Sequence, residues 1–184
     1  MVPSPGHDPS DIQDTMSPAM QIAQHYTQAL KAYFGDRLMA VVLYGSVARG
    51  EQTPESDIDL LIVADGLPAS HRARNRLLVE LEEGFLPALL APWHRQAIPI
   101  DVATRIKTPE EARELTLFYL DLTEDAVILY ERGRFFQDIL DRLRRRLADL
   151  GAQRRQQGRV RYWILKPDYR WGEVIELFEE HPKS

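Results

Sequence analysis

Between residues 17 and 34 apolar side chains return at the spacing of one helical face: Met20, Ile22, Ala23, Tyr26, Ala29, Leu30, Tyr33 and Phe34. Ser17 fits the cap before that helix, Pro18 its first position, and Gly35 its close. The pattern then changes. Leu38 to Tyr44 is a short, apolar, β-branched run that reads as a buried strand, broken by Gly45-Ser46. Asp57 to Val63 reads as a second strand, ended by Asp65-Gly66. Residues 69 to 90 go back to helical spacing through Leu77, Leu78, Leu81, Phe85, Leu86 and Leu89, with a bend or stop at Gly84 and Pro87. Ile98 to Ala103 reads as a third strand. Pro99 lacks a backbone donor, so that strand lies at an edge or pairs on one side only there.

Thr108-Pro109-Glu110-Glu111 carries cap, proline and first-turn acids in order, so a helix runs from there to about Leu120. Ala126 to Tyr130 reads as a fourth strand, and Glu131 to Gly133 as a turn. Phe135, Phe136, Ile139, Leu140, Leu143, Leu147 and Leu150 line one face of a long last helix that Gly151 can end. Arg161 to Leu165 fits strand or helix, and Pro167 stops it. Alternating strands and helices predict an α/β (α+β) fold: a mixed β-sheet flanked by helices, with a helical C-terminal extension. Three parts follow. Residues 1–16, with Pro3, Pro5, Gly6 and Pro9, read as a disordered leader; 17–131 form the main domain; 132–184 form an Arg-rich helical extension.

Composition narrows the chemistry. A chain of 184 residues with 44 % apolar side chains is long enough to fold without a staple. It has no Cys, which excludes a disulfide framework, a Cys-based zinc site and a thiol nucleophile. No apolar run approaches the ~20 residues of a membrane span. The first residues lack the basic start and apolar stretch of a signal peptide, so a soluble, cytoplasmic protein is expected. The net charge of −5 hides an asymmetry. Residues 132–161 hold 10 Arg against Asp138, Asp141 and Asp149, which is +7, and the remainder is −12. Arginine rather than lysine favours fork-like contacts with phosphate or carboxylate. The basic segment can steer a polyanion or pair with the acidic body of the same chain; nucleic acid is the less favoured partner. Tyr162, Trp163, Tyr169 and Trp171 are expected to close a small core. The five His residues show no metal-ligand spacing, and Ser46 has no His and Asp partners placed for a hydrolase triad.

The informative stretch is Leu43-Tyr44-Gly45-Ser46-Val47-Ala48-Arg49-Gly50, followed by Ser56-Asp57-Ile58-Asp59-Leu60. Residues two apart on a strand share a face, so Asp57 and Asp59 point one way and Ile58 and Leu60 the other. Two carboxylates about 4 Å apart repel by ~4 kcal/mol near a protein surface. Such a pair persists by protonating one member or by gaining a cation, and an all-oxygen set suits Mg²⁺. Asp101 repeats the pattern between Ile100 and Val102. If its strand pairs beside that of Asp57, three carboxylates converge, enough for two metal ions in phosphoryl or nucleotidyl transfer. Gly45-Ser46, at a strand end before a short helix, makes a phosphate cradle that is not a Walker loop. Arg49 just beyond it can meet phosphate or an acid. A Gly-Ser turn, an Asp-x-Asp or a strand Asp is common by itself; their order along predicted strands is what carries the reading.

Gly45-Ser46, ten intervening residues, Asp57-x-Asp59 and a later strand acid resemble the nucleotidyltransferase superfamily that includes DNA polymerase β. The Gly-Ser-x-Ala-Arg-Gly and Ser-Asp-Ile-Asp-Leu wording is most similar to the small prokaryotic minimal nucleotidyltransferases, over residues 43–63. The resemblance implies a nucleotidyltransferase domain over 17–131. It implies Mg²⁺, two ions, on Asp57, Asp59 and Asp101, with Asp101 also the general base for the attacking hydroxyl. Gly45, Ser46 and Arg49 would hold the triphosphate of an NTP, ATP favoured. The activity implied is transfer of a nucleoside monophosphate, AMP in the favoured case, to an acceptor hydroxyl with release of pyrophosphate. Two alternatives stand beside it. One is an antitoxin-type protein that pairs with, and AMPylates, a helical HEPN-type toxin; the other is an aminoglycoside-type small-molecule enzyme. The smallest family members stop soon after the third acid, so the resemblance leaves residues 104–184 unexplained.

Overall fold

A computed structural model describes residues 17–53, 56–95, 100–158, 160–175 and 177. The leader at 1–16, and Ile98 and Pro99 of the third expected strand, lie outside the described residues. The first helix, α1 (Pro18–Phe34), forms as its caps dictate: the Ser17 hydroxyl accepts the Met20 N–H, and the Gly35 N–H returns to the Lys31 carbonyl. Four strands follow in one sheet: β1 (Leu38–Tyr44), β2 (Ile58–Ala64), β3 (Val102–Lys107) and β4 (Val127–Glu131), in the order β3-β2-β1-β4. β1 runs antiparallel to both β2 and β4, while β2 and β3 are parallel. The sheet is therefore mixed, as the alternating pattern implied, and β3 is at its edge.

Both faces are covered. Val41 and Leu43 of β1, with Ile58, Leu60 and Ile62 of β2, pack against α1, α3 (His71–Glu83) and α4 (Leu86–His94). Val42 of β1 and Leu61 and Val63 of β2 face the opposite way. They meet α5 (Pro109–Arg113), α6 (Phe118–Asp125) and α7 (Phe135–Asp149). The short α2 (Gly45–Ala48) lies between β1 and β2. The helical run expected over 69–90 is two helices broken at Gly84, with Pro87 in the first turn of the second. The helix expected from Thr108 to Leu120 also divides. Its capping box forms between Thr108 and Glu111, but the helix stops at Arg113 and restarts at Phe118. The third strand begins later than expected and extends to Lys107.

The extension opens with the expected helix. Glu131 fixes the start of α7, accepting the Phe136 and Gln137 N–H groups at 3.0 Å each. A two-stranded antiparallel hairpin follows, β5 (Gln153–Gln157) and β6 (Val160–Ile164). The aromatic residues there do not close a core together. Trp163 packs against the α7 side of the sheet, whereas Trp171 is 98 % exposed and Tyr162 and Tyr169 are also exposed. Arg142 and Arg144 of α7, and Arg134 at its cap, bond the protein's own carbonyls and acids. Arg144 donates to the Thr123 carbonyl at 2.8 and 2.5 Å, Arg142 to the Arg113 carbonyl at 3.1 Å, and Arg134 to Asp138 and Asp141.

An ion pair between a buried arginine and a partly exposed glutamate ties the two helical layers together. Arg74 of α3, 4 % exposed, reaches Glu111 of α5 at 2.6 Å and also donates to the Pro68 carbonyl. The hydrogen bond from Arg74 holds the Glu111 carboxyl below its ordinary 4.5. A carboxyl lowered in the folded state stabilises above its unfolded pKa, and that contribution disappears as pH falls through the folded value. Glu111→Gln strands the Arg74 charge. We expect about 3 kcal/mol of lost stability in urea titration at pH 7, and a smaller difference from the native chain below pH 4.

Candidate active site

The chemistry-bearing residues collect where β1 ends and β2 and β3 begin. Register places them. Tyr44, the last residue of β1, is opposite Asp59 of β2, and Asp59 is beside Ala103 of β3. Asp59 therefore shares its sheet face with Leu61 and Val63, but lies beyond the part that α7 covers. Asp57 precedes β2 on the same face. Ile58 pairs with Val102, and the Ile58 N–H donates to the Asp101 carbonyl at 2.8 Å, so Asp57 and Asp101 stand at the same level at the mouths of two parallel strands.

Gly45 makes the close packing at this point feasible. Its φ is +73°, in the left-handed region, and a Cβ there would lie 3.1 Å from the Asp59 Cγ and closer still to its Oδ2. Only a residue without a side chain lets this carboxylate sit against the turn. Asp59 is half-buried. Burial first, then the charge of Asp57, push its carboxyl above the ordinary 3.8, while Arg105 and Arg49 pull it back. Burial thus weighs more than the neighbouring acid in disfavouring the charged form of Asp59. Asp101 is exposed, and its Oδ1 accepts the adjacent Val102 N–H at 2.8 Å. Among the described residues no group of three or more His, Cys, Asp or Glu side chains closes into a metal-holding cluster. The fit to a divalent cation rests on Asp57 and Asp59, an all-oxygen pair on one face, with Asp101 within one strand spacing by register.

Arg49 follows the turn and is engaged by acids. Its Nε donates to Glu51 Oε2 at 2.8 Å, and its Nη1 lies 3.6 Å from Asp125 Oδ2. The hairpin reaches the same acids. Arg154 grips Asp125 with both guanidinium nitrogens at 2.6 and 2.5 Å, Arg161 bonds Glu51, and Trp163 Nε1 donates to Asp121 at 3.0 Å.

A family model for the nucleotidyltransferase domain matches residues 26–183. The chain belongs to the nucleotidyltransferase domain family. A Methanocaldococcus jannaschii chain named as a protein adenylyltransferase is 27 % identical over 123 residues, covering 67 % of this chain and 79 % of that one. A second so-named chain of that organism is 48 % identical over 42 residues, covering 23 % and 42 %. Among solved structures, a toxin-antitoxin crystal structure with AMP-PNP aligns over 70 % of this chain and 92 % of its own, at 18 % identity and TM-score 0.44. A Shewanella oneidensis structure of a tri-AMPylated HEPN toxin in complex with MNT antitoxin aligns over 72 % and 92 %, at 13 % identity and TM-score 0.39.

The strand mouth and its surroundings also hold residues that the sequence pattern does not mark. Arg105 shares a β3 face with Ala103. Its Nε donates to the Tyr44 hydroxyl at 3.1 Å, and its guanidinium stacks 5.4 Å from the Phe118 ring. Counting by twos from Asp101 reaches Arg105, but only if the third strand is allowed to run past Ala103. Asp121, Asp125, Arg154 and Arg161 had no local signal, because the pairs they form join distant parts of the chain, and Glu51 has one such distant pair, with Arg161, beside its local one with Arg49. Among the described residues, no helix is long and apolar enough to cross a membrane. Gly45→Ala should cost about 2 kcal/mol by urea titration. Gly50→Ala, at φ +68° with nothing within 4 Å of the new methyl, should cost about half as much. Equal losses would show that the Asp59 carboxylate does not constrain Gly45.

Proposed function

We propose that this nucleotidyltransferase transfers AMP from ATP to a hydroxyl of an acceptor protein, releasing pyrophosphate. The observation that supports it most directly is the Asp59 carboxylate seated against a Cβ-less Gly45, which puts an acidic pair and a backbone turn at one strand mouth. The protein acceptor and the adenylyl group are inferred from the names of the two M. jannaschii relatives.

In this reading Asp57 and Asp59 would hold Mg²⁺, and Asp101 would be a ligand for a second ion. When bound, the metal neutralises charge on the phosphates and the attacking oxygen. The turn at Gly45 and Ser46 presents backbone N–H and hydroxyl donors to the triphosphate, and Arg49 adds a guanidinium beside them. Asp101 takes the proton of the acceptor hydroxyl as its oxygen bonds to the α-phosphorus. The bond from that phosphorus to the bridging oxygen breaks, and pyrophosphate leaves. Tyr44 and Arg105 flank Asp59, Arg105 placing a positive charge near the acid pair. A HEPN-type helical protein, expected from the sequence resemblance, is the acceptor we would try first; an aminoglycoside is the small-molecule counterpart.

The test uses ATP labelled in the α- or the γ-phosphate, with Mg²⁺ and a lysate of the source cells. Label should enter a protein from the α position and not from the γ position. Asp57→Asn with Asp59→Asn should lower the incorporation by at least about a hundredfold. Label arriving from the γ position, or unchanged transfer by the double variant, would overturn the assignment.

A further inference from the structure

Asp125 stands between two arginines and serves them unequally. Arg154 holds both of its oxygens in a fork, at 2.6 and 2.5 Å, while Arg49 approaches one of them only to 3.6 Å. The fork is the strong guanidinium–carboxylate geometry; a separation of 3.6 Å is an ion pair without a hydrogen bond. The Asp125 side chain is 12 % exposed, so its charge requires a cation close by. If the fork is removed, Arg49 is the cation already within 4 Å.

We propose that Arg154 is a positioning residue for nucleotide binding: by occupying Asp125 it keeps that carboxylate from drawing in the terminal nitrogens of Arg49, which is held to Glu51 through its Nε and keeps those nitrogens for the phosphates of a nucleoside triphosphate at the Gly45-Ser46 turn. The hairpin thereby acts on the site through an acid rather than by touching the substrate. This rests on the reading of Gly45, Ser46 and Arg49 as the phosphate-binding group. A hairpin that merely braced the fold would behave differently: its loss would lower the melting temperature and leave the nucleotide affinity of the folded chain unchanged.

The experiment is equilibrium binding of Mg²⁺ with each of the four ribonucleoside triphosphates, followed by the tightest of them. It compares the native chain, Arg154→Ala, and Arg154→Ala with Asp125→Asn, with thermal melts of all three. Arg154→Ala should weaken nucleotide binding about tenfold. Adding Asp125→Asn should restore most of that loss, because it removes the carboxylate that would otherwise draw in Arg49, and the melts check that binding is measured on folded chains. If Arg154→Ala does not fold, Arg154→Lys keeps the charge without the fork. It should show a smaller loss with the same rescue. A double variant that binds no better than the single one overturns the inference and leaves the phosphate-binding reading standing. A native chain that binds none of the four nucleotides overturns both.

Discussion

The pairing of β1 with β2 fixes the position of every group in the site. Tyr44 faces Asp59 because Leu43, Val42 and Val41 face Leu60, Leu61 and Ile62 in turn. Ile58, Leu60 and Ile62 are fully buried on one face, and Leu61 and Val63 on the other. Each such side chain gains roughly 2 kcal/mol from leaving water. A slip of one residue would put Asp59 and Asp57 into the α1 layer and move Ile58, Leu60 and Ile62 out of it to the opposite face, so the packing of the two faces enforces the register. The acids thus face the Gly45 turn because their neighbours face the core. Their mutual repulsion is tolerated because the packing that opposes it is much larger.

The charge asymmetry of the chain has a different structural meaning from the one a surface argument suggests. Arg142 and Arg144 end on backbone carbonyls of α5 and α6, and Arg132 donates to the Asp36 carbonyl at 2.7 Å. Arg154 and Arg161 pair with acids of the main domain. Helix C-termini leave unpaired carbonyls with partial negative charge, which arginine satisfies well. Much of the basic segment therefore joins α7 and the hairpin to the short helices and to the loop after α2. Arginine suits that task because one side chain can reach two acceptors at once, as Arg144 does between Thr123 and Asp141.

What could be read in advance, and what could not, follows from the range of the interactions. Ser17, Pro18 and the Thr108 box were legible because a cap lies within one turn of the groups it satisfies. Four strands and the long helix were legible from period alone, and Asp57-x-Asp59 from its setting in such a strand. The breaks at Gly84 and between Arg113 and Phe118 were only half visible, because apolar spacing continued across them while the backbone did not. The hairpin was missed for a related reason. Gln153 to Gln157 is polar throughout, so it carries no alternation, and only its pairing with β6 makes it a strand. Arg105, Asp125 and Arg154 entered the site through contacts between residues tens of positions apart, which no local pattern encodes.

The bond between Arg161 and Glu51 spans 110 positions of sequence. During synthesis, at roughly 5–20 residues per second, β1, the Gly45 turn and β2 are complete long before residue 161 leaves the ribosome. Until then Glu51 and Asp125 have Arg49 as their shared guanidinium partner, and the loop after the turn lacks its final brace. The nascent sheet can fold early on its own apolar faces, but Glu51 and Asp125 gain their second guanidinium partners only when the hairpin docks, so the loop after the turn takes its final form last.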